Sequence, residues 1–573
     1  MGIKRVIKAM TSLPLQALLA LLFLVSACSQ IGADKPAPLL APGPALAPAP
    51  AANFTLTVLH TNDTHSSYGG TTDKGLTCYA AMCAGGRGGY VRLDQAVRAI
   101  RRDNPDALFL DAGDIFQGTL FWTLHKERMP MALVDRMGYQ ALIPGNHEFD
   151  AGWPVWLRLV ESLKTPVLAA NISFDPRPNS PAINKILPYR ILERNGRKIG
   201  IVGLVTEETP EKSSPGPGIS FSNAQKALET AVKELTAQHV NIIIALTHLG
   251  LANDRLLARA VNGVDIIVGG HSHSLLSNVR DRVEGPYPVV EKRPDGAPVL
   301  VVTASTACIY LGRLDVDFDD KGIVKGWRGE PVLLDQATLA SLKAPKPDAE
   351  LLQLIDGFAA PVQKMMREPI GTINAAGKEG RPLEDPNVME CRRLECLSGN
   401  IVADALRAVP FGETDIALVN SGALRASLPG GLVAPGHVLA TLPFQNTPLT
   451  VKMPGAVLWQ ALEHGIAKYG EGEGSFLQVS GLRYAFKVSQ PPGQRISKVE
   501  VQSRGGQWRL LDKSAIYQVV TLDFTARGGD GFAMFPPLPW QEGDKLANDV
   551  LRVYLKQHSP VKARQEGRIT IQY

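Results

Sequence analysis

Five apolar runs in the N-terminal half of the sequence end in side chains able to hold a metal ion or a proton. "FTLTVL" leads into "HTNDTHSSYGG", which carries Asp63 and His65, and "DALFLDAGD" ends at Asp111 and Asp114. "ALIPGNHEFD" supplies Asn146, His147 and Asp150, "NIIIALTHLG" supplies His248, and "VDIIVGGHSH" supplies His271 and His273. Asp, His and Asn without a thiolate suit borderline divalent ions such as Mn, Zn, Fe or Co better than Ca or Mg. Six or seven such ligands exceed what one ion takes from protein while keeping a position open for water. Two ions sharing a bridging carboxylate, about 3.5–4 Å apart, account for the number; such a pair lowers the pKa of bound water and clamps it beside a phosphoryl oxygen. A lone histidine is ordinarily a hydrogen-bonded structural residue. Here five of the chain's 11 histidines fall at strand ends beside Gly, Asp or Asn, which marks a site. His147 with Asp150 would be a protonatable imidazole held by an orienting carboxylate.

Between these runs lie segments with helical spacing, such as "YVRLDQAVRAIRR" and "NAQKALETAVKELTAQ". Strands alternating with helices predict α/β layers, in which ligands gather beyond the carboxyl ends of the strands. Asp63 and His65, two apart on an extended segment, would face the same way into that crevice.

"NDTH", "DAGD", "GNHEFD", "THLG" and "GGHSH" follow one another in an order that resembles the calcineurin-like metallophosphoesterases, and among them the exported 5′-nucleotidase / UDP-sugar hydrolase family. The resemblance spans residues 54 to 275. It implies an N-terminal four-layer β-sandwich flanked by helices, a linker helix and a C-terminal α+β nucleotide-binding domain. It also implies that Asp63, His65, Asp114 and His273 hold one metal and that Asp114, Asn146, His248 and His271 hold the other, with His147 and Asp150 as the catalytic pair. Many nucleotidases carry Gln or Asn where His273 stands, a departure that bears on metal preference.

The boundary of the second half is marked by "KAPKPDAELLQLIDGFAAPVQKMMREPIGTI", which reads as a connecting helix with Lys/Pro sequence at its start and "REPIG" at its end. Short strands and Gly-rich turns follow, and they resemble the family's C-terminal nucleotidase domain. The expected organisation is residues 53–340 for the metallophosphoesterase domain, 341–370 for the connecting helix and 371–573 for the substrate-binding domain. By resemblance, "CRRLEC" supplies Arg392 beside a disulfide, and "NSGALR" places Asn420 near a base and Arg425 near a phosphate. Phe444 and Phe524 match the two aromatics that sandwich the base, and Asp530 matches the carboxylate that accepts ribose hydroxyls. From the residues alone, Phe444 in an apolar strand could equally be core, whereas Phe524 beside "RGGDG" favours a ligand-facing role. Arginine's fork binds phosphate bidentately. The resemblance further implies that the C-terminal domain swings on the connecting helix.

With 573 residues the chain exceeds one domain, and 45% hydrophobic with 20% charged residues is ordinary globular composition. Of the formal net charge of +5, three belong to Lys4, Arg5 and Lys8, so the remainder suggests no nucleic-acid surface. Those residues open a leader expected over 1–27: a cationic stretch, then "LQALLALLFLV", too short to span a bilayer. "VSAC" resembles the bacterial lipobox, which would make Cys28 a lipidated residue, and the Pro/Ala-rich segment 28–52 a tether. Export to an outer membrane, facing the periplasm or the cell surface, is the expectation, with Ser29 consistent with it. The sequons at Asn53, Asn62 and Asn171 carry little weight in such a lipoprotein. An oxidising compartment permits disulfides, and Cys78 with Cys83, and Cys391 with Cys396, are each close enough for a small staple. Neither pair has CxxC spacing, and Cys308 reads as a buried, inert thiol. The expected function is release of phosphate from nucleoside 5′-phosphates by two-metal-activated water, with UDP-sugar cleavage as a possible second activity and no obligatory protein partner. The alternatives are a 2′,3′-cyclic nucleotide phosphodiesterase with 3′-nucleotidase activity, a thiosulfohydrolase, or a non-enzymatic nucleotide-binding surface lipoprotein.

Overall fold

The computed structural model describes residues 54–573 apart from 74, 282, 385–388, 409–413, 445, 504 and 543–544. The expected leader, Cys28 and the tether lie outside the described residues.

Two large sheets build most of the N-terminal lobe, beside a two-stranded sheet of Ile172–Phe174 and Ile219–Phe221. The first runs in the order Val324–Gly329, Tyr310–Phe318, Phe54–Thr61, Leu108–Asp111, Ala141–Leu142, Val167–Leu168, Ile186–Leu187, and the last five strands are parallel. The second runs Val289–Lys292, Pro298–Val302, Ile266–Gly269, Ile242–His248, Arg197–Val205, Tyr189–Arg194, with the four inner strands parallel. Parallel strands covered on both faces read as unbroken apolar runs, and "IIIALTH" is buried at every position. One core cluster joins Leu56, Val58, Leu110 and Ala141 of the first sheet to Ile201, Ile244, Leu246 and Val268 of the second. Truncating one of these leucines or isoleucines to alanine costs about 2–5 kcal/mol.

The strand Phe54–Thr61 does not use its alternation of apolar and hydroxyl residues to make a wet face, because only Thr55 is exposed. Its threonines are buried against carboxylates instead: Thr57 Oγ1 donates to Asp315 Oδ1 and Thr61 Oγ1 to Asp111 Oδ2, each at 2.6 Å.

The connecting helix spans Ala349–Met365 and is capped by Asp348, whose side chain accepts from Leu351 N at 2.9 Å, rather than by the Lys/Pro sequence before it. Leu351, Ile355, Ala359 and Val362 form its apolar stripe and pack into the outer core of the N-terminal lobe. The C-terminal lobe is α+β. Its five-stranded sheet runs Leu477–Ser480, Ile416–Asn420, Ile516–Leu522, Pro448–Pro454, Gln541–Glu542, and a four-stranded sheet closes with Ile569–Gln572. The helices Leu397–Ala408 and Ala547–Gln557 contribute to a core with Val419, Val520 and Leu522. Both expected disulfides are formed, Cys78 with Cys83 and Cys391 with Cys396, and Cys308 is free and buried. Among the described residues, no helix is long and apolar enough to cross a membrane.

Candidate active site

The parallel strands of both sheets deliver their carboxyl ends to one place. Thr61, Asp111, Leu142, His248 and Gly269 end their strands; His248 is itself a metal-ligand candidate, and the loops that follow carry the other six. Asp63 and His65 do not lie on an extended segment, as the strand period suggested. Their φ angles are 49° and 46°, and those of Asp114, His271 and His273 are 58°, 79° and 54°. Non-glycine residues rarely adopt this left-handed region, which concentrates at functional sites. The loops leave the sheet edge at once and bond to each other: Asp63 N donates to Gly113 O and His65 N to Asp114 O, both at 2.9 Å. Two glycines make the closest approach possible. A Cβ on Gly113 would stand 2.5 Å from Gly145 N, and one on Gly145 would stand 2.2 Å from Asp114 Oδ1.

Four of the donors, Asp114 among them, form one cluster, and the other three stand in pairs beside it. Ligand atoms of Asp63, His65, Asp114 and His273 all lie within 4.8 Å of one another. His271 Nδ1 is 2.8 Å from Asn146 Oδ1, and His248 Nε2 is 3.1 Å from Asp114 Oδ2. Carbonyl oxygens fix two of the rings, since His65 Nδ1 donates to Phe116 O at 3.1 Å and His248 Nδ1 to Ala112 O at 2.7 Å. Each Nε2 is thereby left with its lone pair for the site. His248 Nε2 is buried without a directed hydrogen bond. Burial opposes charge on His248, yet Asp114 and Asp63 beside it push its pKa to about 10. In the absence of a cation the two carboxylates hold this ring protonated, and a divalent cation would supply that positive charge in the proton's place. On that ground the residues fit a metal.

His147 lies next to this group. Its Nδ1 is 2.6 Å from Asp150 Oδ2, and Ser213 Oγ donates to Asp150 Oδ1 at 2.7 Å. Burial works against the imidazolium, but Asp150 and Asp114 outweigh it and raise the pKa of His147.

From the C-terminal lobe, Arg425 Nη2 reaches within 3.2 Å of His65 Nε2, and Arg392 Nη1 donates to Gly472 O at 2.8 Å. Asn420 Nδ2 donates to Asp530 Oδ2 at 2.7 Å while its Oδ1 accepts from Thr525 Oγ1 at 3.0 Å, so the amide orientation is set. The Phe444 ring is 6.2 Å from that of His147, and Gly529 lies so close to Phe524 that a Cβ there would meet the ring at 2.6 Å. All six of these residues line one cavity of about 850 Å³, together with Asp114, Asn146, His147, Asp150, His271 and His273. Asp63, His65 and His248 stand behind that wall.

Sequence reasoning missed the supports. Glu148 is buried and accepts from Asp114 N, Phe116 N and Gly145 N at 2.9, 2.9 and 2.6 Å, tying two motif loops together. Asn62 Nδ2 donates to Asp63 Oδ2 at 2.7 Å. Asn62 stands beside the ligand candidate Asp63 and Glu148 beside His147, so a polar residue flanking a site residue was the available signal. Ser213 carries no such signal, since it meets Asp150 from 63 positions further along the chain.

The fold and site define a two-lobed phosphoesterase whose metal-ligand loops face a second, substrate-binding lobe. Residues 56–275 match the calcineurin-like phosphoesterase family and residues 369–537 match the C-terminal domain of 5′-nucleotidases. The chain is 34% identical to a 5′-nucleotidase of Rattus norvegicus, with 91% of each chain covered, and 33% identical to one of Homo sapiens, with 94% of each covered. Among solved structures, a 5′-nucleotidase precursor from Thermus thermophilus superimposes with a TM-score of 0.81 at 35% identity, covering 91% of this chain and 99% of that one. The chain belongs to the 5′-nucleotidase family, and it is a metal-dependent phosphohydrolase acting on phosphoric monoesters.

Proposed function

We propose that this protein releases inorganic phosphate from nucleoside 5′-monophosphates, using two divalent ions, as an exported and lipid-anchored enzyme. The observation that carries the substrate reading is the shared cavity: one wall presents metal donors and His147, and the other presents Phe444, Phe524 and Asp530. Asp63, His65, Asp114 and His273 would hold one ion, and Asp114, Asn146, His248 and His271 the other. When bound, such ions lower the pKa of water and offset charge on the phosphoryl oxygens. Arg392 and Arg425 face the same cavity and suit a phosphate through charge-assisted hydrogen bonds. His147, with Nδ1 committed to Asp150, holds a proton at Nε2 that can be shared with a phosphoryl oxygen or the departing alkoxide. Phe444 and Phe524 offer aromatic faces to a base, and the Asp530 carboxylate accepts from sugar hydroxyls.

A phosphate-release screen over AMP, UMP, UDP-glucose, 2′,3′-cyclic nucleotides, thiosulfate-type substrates and p-nitrophenyl phosphate, with Mn, Co and Zn, tests this reading. Preference for AMP or UMP supports it, and preference for a cyclic nucleotide or a sulfur substrate overturns it. "LVSAC" before the Pro/Ala segment supports the anchor. The mature protein is expected in the detergent phase, and a Cys28→Ser variant that still fractionates with membranes would sink lipid anchoring.

A further inference from the structure

A short loop of the C-terminal lobe, Gly472–Glu473–Gly474, touches Arg392 and two parts of the proposed nucleoside seat. Gly472 O accepts from Arg392 Nη1 at 2.8 Å. Gly474 O accepts from Gly422 N at 2.9 Å and from Ser421 Oγ at 3.2 Å, next to Asn420. Gly474 also abuts Asp530, since a Cβ there would stand 3.1 Å from Asp530 Oδ2. Between the two glycines, Glu473 turns toward the other lobe. Its Oε2 accepts from Lys212 Nζ at 2.5 Å, and both side chains are mostly buried.

Lys212 ends the short helix Thr209–Lys212 of the phosphoesterase lobe, which packs against the turn Gly529–Gly531 that carries Asp530. Glu208 and Lys468 extend the pair into an alternating quartet: Lys212 to Glu208 is 3.8 Å, Lys468 to Glu208 3.5 Å and Lys468 to Glu473 3.8 Å. Lys212 and Glu473 both line the cavity. Burial disfavours charge on each, yet Asp530 and Glu473 raise the pKa of Lys212, and Lys212 holds Glu473 down at about 2. The two are thus a charged pair across the lobe boundary at neutral pH.

We propose that Lys212 and Glu473 are a positioning pair that pins the loop Gly472–Glu473–Gly474, and with it Asn420 and the Asp530 turn, to the phosphoesterase lobe. The nucleoside seat is thereby held in register with the metal ligands. The inference rests on the reading of Asp530 as the sugar seat. A small ester that has no nucleoside does not use that register, so the pair acts on nucleotides alone.

The test is steady-state kinetics of the metal-loaded full chain on AMP and on p-nitrophenyl phosphate, for Lys212→Met, Glu473→Gln, their double variant, Lys212→Arg and Asp530→Ala. Lys212→Met and Glu473→Gln are expected to raise KM for AMP roughly tenfold, with less change in kcat and a much smaller loss on p-nitrophenyl phosphate. The double variant should lose no more than the worse single one, because the two share one interaction, and Lys212→Arg should retain most of the AMP affinity. Equal losses on both substrates in the Lys212 and Glu473 variants, additive losses in the double variant, or an unchanged KM for AMP would overturn the pair. Asp530→Ala separates the two levels. A selective AMP loss there without one in Lys212→Met overturns the pair alone, whereas an equal loss on both substrates in Asp530→Ala overturns the seat and the pair with it.

Discussion

The two walls of the cavity are built in opposite ways. On the phosphoesterase side, Asp114 and Asn146 line the cavity with Asp63 and His248 behind them; all four are almost wholly buried, and Asp63 and Asp114 sit in left-handed conformations. On the other side, Arg392, Arg425, Phe444, Phe524 and Asp530 are half-buried and come from turns and short helices far apart in sequence. Fixed donors aimed at developing charge need no reorganisation during reaction. A wall that must admit and release a whole nucleoside needs surface that stays accessible. The rigid wall carries the chemistry, and the accessible wall decides what is presented to it.

The largest effect that this contrast predicts is at Asp114, the proposed bridge between the two ions. Asp114→Asn should lower bound metal toward one or none per chain and cut turnover by more than about a thousandfold, since the ions supply several kcal/mol of stabilisation. Elemental analysis together with kinetics checks this, and two full equivalents of metal in the variant would remove Asp114 as the bridge. His147→Asn comes next. It should keep its metal and lose about 10²–10⁴-fold in kcat, on AMP and p-nitrophenyl phosphate alike. Activity within a few-fold of the parent would take His147 out of the mechanism.

Phe524→Leu probes the accessible wall. Loss of one stacking face, about 1–3 kcal/mol, should reduce kcat/KM for AMP by roughly 5- to 150-fold while p-nitrophenyl phosphate loses far less. Equal losses would make Phe524 a structural residue and erase the division between the walls. The smallest effect is expected at Ser213→Ala, which frees one oxygen of Asp150. One hydrogen bond of this kind is worth about two- to tenfold in kcat, and because it acts through His147 both substrates should fall together. A loss confined to AMP would place Ser213 on the nucleoside side instead.

Legibility followed the same division. The metal-ligand candidates were readable because each follows a buried apolar strand within a few residues, so local order and spatial order coincide. "NIIIALTHLG" announces both the strand and His248. The backbone reason given for Asp63 and His65 did not hold, because a period-two rule extends only as far as the strand does, and Phe54–Thr61 stops before Asp63. Burial of Thr57 was equally invisible, since its carboxylate partner Asp315 lies on a strand 258 positions away. The connecting helix was legible as a helix, but not its docking on the N-terminal lobe through Ile355 and Val362.

By itself, then, the sequence determined the alternation of strands and helices, the metal-ligand candidates and the chemistry open to them, because these depend on residue type and on neighbours along the chain. Only the tertiary structure decided that Glu148 ties two motif loops and that Asn420 turns its amide toward Asp530. The same holds for Lys212 meeting Glu473 across the lobe boundary. Their distances in space are set by how two sheets and a second lobe pack, and packing brings together residues whose separation along the chain carries no trace of the contact.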